Sequence, residues 1–292
     1  MLARKLIYYV TSLGTLLGRV RNWPVLFWEL LGLPIGRPYL MRLRDGAVFQ
    51  VRGFMDAWIV KEVYLDRDYE RYSVTLQPSW TVVDIGACLG GFAVFAAQRA
   101  PGIRVHACEP APESYRLLRQ NLDLNGAANV TAHPLAVAGT SGPLTLYTFA
   151  GHAEQNSMTP TRSNGAPTAV TVEGLALADL FERLAITRCD FLKIDCEGAE
   201  FDILLKAPPE LFERISHICM EYHDGVTAFS HADLLRHFER LGFQTQRFPS
   251  PVLPHEGFIY AYNSHLHDRR QTTPSTTLRA GDGRRPTIST TA

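Results

Sequence analysis

From Trp80 onward the chain alternates strand-like and helix-like segments, and this alternation restricts the possible folds more than any other feature. Apolar runs suited to strands fall at 80–85, 103–109, 129–137, 190–195, 216–222, 243–248 and 257–262, with helical patterns at 91–99, 113–125, 177–185, 199–206 and 231–241. Strands that alternate with helices of this length need parallel crossovers, which predicts a doubly wound α/β sheet with helices on both faces. The helix at 113–125 is the best signalled, with Pro112 near its start, leucines at 117, 118, 122 and 124, and Gly126 after its end. Around Pro249 to Glu256 no helix separates two strand-like runs, so those two should pair antiparallel. The expected architecture is a seven-stranded, mostly parallel sheet carrying one antiparallel strand near its C-terminal edge.

Upstream of the alternation, Leu6, Tyr9, Val10, Leu13, Leu16, Leu17 and Val20 recur at helical spacing, and Pro24 to Leu31 forms a second apolar piece. The uncharged run from Leu6 to Gly18 is shorter than the roughly 20 residues a bilayer span needs, and no cleavage site of small residues follows it. Residues 1–36 therefore read as a helical extension with two alternative roles. It packs on the following domain or on a second subunit as part of a homo-oligomer, or it makes peripheral membrane contact through residues 1–31, where basic residues stand beside aromatic ones. Tyr39 to Val51 reads as a hairpin about Asp45-Gly46, and Asp56 as the N-cap of a helix through Trp58, Val60 and Val63. Residues 37–263 form the main domain, and 264–292, rich in Ser, Thr, Pro and Arg, read as a disordered tail.

Acidic and basic residues balance at 29 each, so no overall field favours nucleic acid. The five cysteines, Cys88, Cys108, Cys189, Cys196 and Cys219, form no C-x-x-C pair, which argues against a zinc site or a disulfide framework and suits a reducing cytoplasm.

After the strand Val82-Val83, the run Asp84-Ile85-Gly86-Ala87-Cys88-Leu89-Gly90-Gly91 opens the next helix as D-x-G-x-x-x-G. Glycine lets backbone approach a ligand closely, and helix N-terminal amides present partial positive charge to an anion. The dinucleotide fingerprint G-x-G-x-x-G fails here, because Cys88 stands where its second glycine belongs, and the carboxylate of Asp84 would repel a pyrophosphate. A methionine carboxylate at the amides and a sulfonium near Asp84 would suit the turn, which makes S-adenosylmethionine the expected ligand, with NAD as the alternative. Glu109 ends the next strand, 25 residues after Asp84, where a carboxylate can accept both ribose hydroxyls. Asp84, Gly86, Ala87, Cys88, Gly90, Glu109, Ala136 and Asp195 are the candidate cofactor contacts, Ala136 and Val137 offering backbone groups and apolar contact to an adenine.

Phe191-Leu192-Lys193-Ile194-Asp195 runs into Cys196-Glu197-Gly198-Ala199-Glu200, and the following strand ends in Met220-Glu221-Tyr222-His223-Asp224. In open α/β sheets the C-terminal strand ends face the ligand crevice, so these acids and the histidine should converge on one cleft. Asp195, Glu197, Glu221 and His223 are the candidate catalytic residues; Glu197 and Glu200 have the alternative of capping the helix near Gly198, and His223 that of bonding backbone. No metal is required, although a divalent ion between Asp195 and Glu221 would also acidify an alcohol.

Taken together, K-I-D-C-E-G-A-E, with D-I-G-A-C-L-G-G upstream and M-E-Y-H downstream, resembles the FkbM family of methyltransferases from about Asp56 to Tyr262. The resemblance implies the class I methyltransferase (Rossmann-like) fold, S-adenosylmethionine as donor, and an oxygen acceptor on a sugar or other hydroxylated small molecule. In its terms Asp84, Gly86, Gly90 and Glu109 match the cofactor motif, and Asp195 the acid beside the transferring methyl. An NAD-dependent oxidoreductase and a catalytically inactive scaffold are the competing readings. The polar stretch Gly151 to Pro167 reads as a loop that covers the acceptor or as a surface insertion.

Overall fold

The computed structural model describes residues 2–31, 33, 35–148, 168–264 and 266. Two helices, α1 (Leu2–Arg19) and α2 (Trp23–Leu30), precede the hairpin β1 (Tyr39–Arg42) and β2 (Val48–Val51). Helix α3 (Phe54–Val60) runs on into a π-helical turn, Lys61–Leu65, and a short α4 (Asp68–Arg71). The alternating part comprises β3 (Thr81–Ile85), α5 (Gly91–Arg99), β4 (Arg104–Cys108), α6 (Pro112–Leu124), β5 (Val130–His133), β6 (Ala136–Ala138), β7 (Gly142–Thr148) and β8 (Thr168–Ala176). It continues through α7 (Leu177–Arg183), β9 (Cys189–Ile194), α8 (Glu200–Leu205), α9 (Pro209–Phe212), β10 (Ile215–His223), α10 (His231–Arg240), β11 (Phe243–Pro249) and β12 (Glu256–Asn263).

Seven strands form the main sheet in the order β11-β12-β10-β9-β3-β4-β5. Only β12 runs against its neighbours, pairing antiparallel with both β10 and β11, while β3, β4, β5, β9 and β10 are parallel. This is the seven-stranded, mostly parallel sheet with one antiparallel strand that the strand spacing predicts, and it agrees with the class I fold that the family resemblance implies. Every residue of β3 and β9 is buried, and the period of two sends neighbours to opposite faces. Val82 and Phe191 join one apolar core with α5 and α6, while Val83, Ile85, Leu192 and Ile194 join the other with α7, α8 and α10. Burial on both faces explains why these strands read as mostly apolar rather than alternating, with Asp84, Asp190 and Lys193 as the buried charged exceptions.

The sequence expectation of a single strand over 129–137 is corrected by a break at Pro134. Proline has no N–H to give a ladder and fixes its own φ, so β5 leaves the main sheet there and β6 begins a three-stranded sheet ordered β6-β8-β7. The hairpin about Asp45-Gly46 forms as expected, with Gly46 at φ 105°. Its exposed edge is closed by side-chain amides on α6. Asn125 accepts from the Val48 N–H at 3.0 Å and donates to its carbonyl at 2.7 Å, and Asn121 does the same for Gln50 at 2.6 and 3.2 Å. Spacing of i and i+4 puts both amides on one helix face, so each meets alternate residues of β2. Asp56 does not cap α3, whose N-cap is Gly53. It lies in the first turn, where it accepts from the Arg52 N–H and from the Arg52 guanidinium, all at 2.8 Å.

Helix α1 faces the domain with Tyr8, Ser12, Leu16 and Val20, an i, i+4 stripe. Val20 bridges Leu43, so the helix end is tied to the hairpin. The loop Gly151 to Pro167 and the tail beyond Leu266 lie outside the described residues.

Candidate active site

The C-terminal ends of four adjacent parallel strands, β4, β3, β9 and β10, open onto one cavity of about 1350 Å³. The turn after β3 makes its floor. Gly86 and Gly90 sit at φ 74° and 90°, in the left-handed region that favours glycine. A Cβ at Gly86 would stand 1.8 Å from the Asp195 carbonyl oxygen, so only glycine lets the β3 and β9 ends close up. A Cβ at Gly90 would press on Leu118 of α6 at 2.7 Å. Cys88 also adopts positive φ, 49°, and its N–H donates to a Glu109 carboxylate oxygen at 2.8 Å.

Glu109 is buried at the end of β4 and its other oxygen accepts from the Ala111 N–H at 2.8 Å. Burial pushes its carboxyl up to about 7, against the pull of those two amides. Each carboxylate oxygen keeps lone-pair capacity beyond one amide, which is what two ribose hydroxyls require. Leu135, Ala136 and Val137 line the same end of the cavity and supply an apolar wall.

Asp84 lies beneath the turn and does not line the cavity. Its carboxylate is fully buried and pairs with the Lys193 ammonium at 3.1 Å. Lys193 also donates to the Ile85 and Gly86 carbonyls at 3.3 and 2.6 Å, so one buried cation ties the turn to β9. Burial raises the Asp84 carboxyl and Lys193 only partly offsets this. The ammonium, although desolvated, is held charged by Asp84 and Asp195 together, one cation serving two acids. Ala87 and Gly90 likewise shape the turn without lining the cavity, whereas Gly86, Cys88, Glu109, Ala136 and Asp195 do line it.

On the acceptor side Asp195, Glu197, Glu221 and His223 all reach the cavity. The Tyr69 hydroxyl, on α4, donates to Asp195 Oδ2 at 2.8 Å. Tyr69 is fully buried between Phe92 and Phe258, and burial beside Asp195 and Glu221 keeps its phenol protonated. Glu200 is turned away from the cavity: its carboxylate accepts from the Cys196 and Gly198 N–H groups at 2.7 and 2.8 Å and from His223 Nδ1 at 3.1 Å. A carboxylate can only accept here, so Nδ1 carries hydrogen and Nε2 points toward Glu197, 3.7 Å away. Desolvation lowers the basicity of His223, but Glu200, Glu197 and Glu221 outweigh it and hold the imidazole well above its ordinary range. Burial raises the Glu221 carboxyl, reinforced by Asp195, and Glu197 moves the same way with His223 opposing. Asp195, Glu197 and His223 present ligand atoms within 4.8 Å of one another, as do Glu221, His223 and Glu256, so a divalent ion has two candidate triads here.

Sequence reasoning missed Tyr69, Lys193 and the far wall. Lys193 carried a usable signal, a lone charge inside the buried run Phe191 to Ile194. Tyr69 carried none, because α4 is too short to show periodicity. The far wall comes from α1, α2 and α3, with Tyr8, Ser12, Leu30, Met55 and Trp58 lining the cavity. Tyr8 and Trp58 both donate to Glu62.

Comparison with known proteins identifies the family. The model of the methyltransferase FkbM domain matches residues 84–245. The chain is 29% identical over 211 residues to the 31-O-demethyl-FK506 methyltransferase FkbM of Streptomyces tacrolimicus, covering 63% of this chain and 81% of that protein. It is 27% identical over 192 residues to methyltransferase sdnD of Sordaria araneosa, covering 56% and 73%. Among solved structures, methyltransferase FkbM of Methylobacillus flagellatus aligns with 88% of this chain and 60% of that one, at 16% identity and a TM-score of 0.42.

Proposed function

Because this chain belongs to the FkbM family of S-adenosylmethionine-dependent methyltransferases, we propose that it methylates a hydroxyl oxygen on a sugar or sugar-bearing small molecule. When bound, S-adenosylmethionine supplies a methyl group activated by its sulfonium. The chain's own residues fit that cofactor. Glu109, fixed by two backbone amides, would take the ribose hydroxyls, Leu135, Ala136 and Val137 would offer the adenine an apolar wall, and Gly86 and Cys88 would hold the methionyl portion. Asp84 acts from below, by holding Lys193 and with it the shape of the turn.

The observation that carries the oxygen acceptor is the Glu200–His223 pair, which aims Nε2 at the cavity beside Asp195 and Glu221. An alcohol is a poor nucleophile until its proton leaves, so a base must stand within hydrogen-bond reach. His223 takes that proton at Nε2, and Glu200 stabilises the imidazolium so formed. Asp195, steered by Tyr69, orients the acceptor oxygen for in-line displacement, where geometry supplies much of the rate. Glu197 and Glu221 line the cavity with carboxyls that burial raises, and a carboxyl that gains its proton can donate as well as accept, which suits a ligand carrying several hydroxyls. The Streptomyces relative supports an oxygen acceptor, since its name specifies an O-demethyl substrate.

The test is release of S-adenosylhomocysteine by the full chain against panels of neutral glycosides, amines and carboxylic acids. Turnover should appear with hydroxyl acceptors and fall at least about a hundredfold in Asp195→Asn with cofactor binding retained. Turnover confined to amines or acids, or full activity in Asp195→Asn, would sink the proposal.

A further inference from the structure

Helix α1 carries apolar residues on its outward side as well as its inward one, which a helix that meets only water outside does not need. Its inward stripe includes Ser12, 2% exposed, while Leu6 and Val10 stand 65% and 60% exposed on the outward side. Leu6, Val10, Leu13 and Leu17 follow one another by four, three and four residues, so they share a stripe along the helix. Helix α2 repeats the arrangement, with Trp23, Phe27 and Leu31 at successive fourth positions and Trp28 56% exposed beside them. Eleven of the fifteen large hydrophobic side chains exposed among the described residues lie between Leu6 and Leu33. Single exposed apolar residues are ordinary; a concentration of this kind marks an interaction surface.

Charge identifies the occupant. The first 44 residues carry seven basic side chains, Arg4, Lys5, Arg19, Arg21, Arg37, Arg42 and Arg44, against one acid, Glu29, in a chain that balances overall. Glu29 accepts a hydrogen bond from the Tyr39 hydroxyl at 2.7 Å. No helix among the described residues is long and apolar enough to cross a membrane. Segments 149–167 and 267–292 hold only Phe149, Met158, Leu278 and Ile288 as large apolar residues, a poor chemical match to this apolar face, and the second segment is itself basic. Apolar stripes with tryptophans, flanked by arginine and lysine, match the boundary between headgroups and acyl chains of an anionic bilayer.

We propose that the α1–α2 face docks this protein on the surface of a membrane containing anionic phospholipid. Ile7, Leu13, Leu30 and Met55 also line the active-site cavity, so docking through this face sets the cavity wall at the lipid surface. Acceptors that carry an apolar tail then reach the site without leaving the bilayer. The docking claim does not depend on the hydroxyl acceptor proposed above, and cofactor binding reports on the methyltransferase reading separately.

Flotation of the full chain with vesicles tests it, using phosphatidylcholine alone and phosphatidylcholine mixed with phosphatidylglycerol. The protein should float with the mixed vesicles and not with the neutral ones, and added salt should weaken the association. Phe27 and Trp28 do not line the cavity, so Phe27→Ser with Trp28→Ser should cut partitioning about tenfold or more while S-adenosylmethionine binds as before. Val10→Glu with Leu17→Glu gives a second pair should the first fold poorly. Quenching of tryptophan fluorescence by brominated lipid in the unaltered protein needs no variant. Absence of flotation and of quenching would overturn the proposal, as would flotation unaffected by both variant pairs. A dimer in sedimentation that the same variants dissociate, with no vesicle binding, would assign the face to a second copy and overturn it equally.

Discussion

Replacing Lys193 by Met removes the cation paired with Asp84 beneath the glycine turn and leaves that carboxylate, among the described residues, without a cationic partner in a fully buried position. Breaking a buried pair by deleting one partner costs about 3–5 kcal/mol, because the remaining charge is uncompensated. The Ile85 and Gly86 carbonyls lose a donor in the same step. Burial already raises the Asp84 carboxyl with Lys193 present, so without it the group should fold protonated. A carboxyl with pKa raised in the folded state loses stability as pH climbs above its unfolded value near 3.9, at about 1.4 kcal/mol per pH unit, until the folded pKa is passed. Lys193→Met should therefore be less destabilised at pH 5 than at pH 7 by up to about 2.7 kcal/mol. Urea unfolding at both values measures this, with Asp84→Asn combined with Lys193→Met expected to abolish most of the added pH dependence, because the titrating group is gone. A cost below about 1 kcal/mol at pH 7, or one that does not vary with pH, would refute the reasoning.

The raised imidazole of His223 places the acid limb of kcat/KM above the ordinary histidine range, since only the neutral ring accepts a proton. Glu200→Gln removes the anion that raises it and should move that limb down by about 1–3 pH units; an unmoved limb would remove His223 from the role of base. For stability the sign is opposite: the His223–Glu200 contribution is complete below about pH 6.5 and is lost as pH rises through the folded pKa, which an unfolding series from acid to alkaline pH would show. Tyr69→Phe frees Asp195 to turn and should lower kcat with little change in cofactor affinity, so a loss of cofactor binding instead would make Tyr69 merely structural. Exhaustive chelation should leave activity intact, and a loss restored by a divalent ion would give the Asp195, Glu197 and His223 triad to a metal.

The strands could be located ahead of the structure because β3 and β9 are buried throughout and β10 nearly so, which makes their sequences predominantly apolar even though Asp84, Lys193 and Glu221 stand within them. The glycine turn was legible for a similar reason, since positive φ at Gly86 and Gly90 leaves few alternatives to glycine. Side-chain direction was not. Asp84 stands in the motif as a ligand contact would, yet the pleat points it under the turn to Lys193, and nothing in the local pattern distinguishes the two. Glu200 showed as one of the acids after β9, with helix capping as its alternative, and its pairing with His223 was not legible because that residue lies 23 residues away on another strand. The small sheet of β6, β7 and β8 escaped because Pro134 interrupts a run that composition alone presents as continuous.

The central claim, that the edge formed by the ends of β3, β4, β9 and β10 binds S-adenosylmethionine and transfers its methyl group, is tested most directly by calorimetry on the full chain. S-adenosylmethionine and S-adenosylhomocysteine should each bind at a single site and NAD should not. Glu109→Ala should weaken both by at least about tenfold, since a carboxylate that accepts two hydroxyls contributes about 1.5–3 kcal/mol for each charged hydrogen bond. Binding of NAD alone, or S-adenosylmethionine affinity unchanged in Glu109→Ala, would contradict the account.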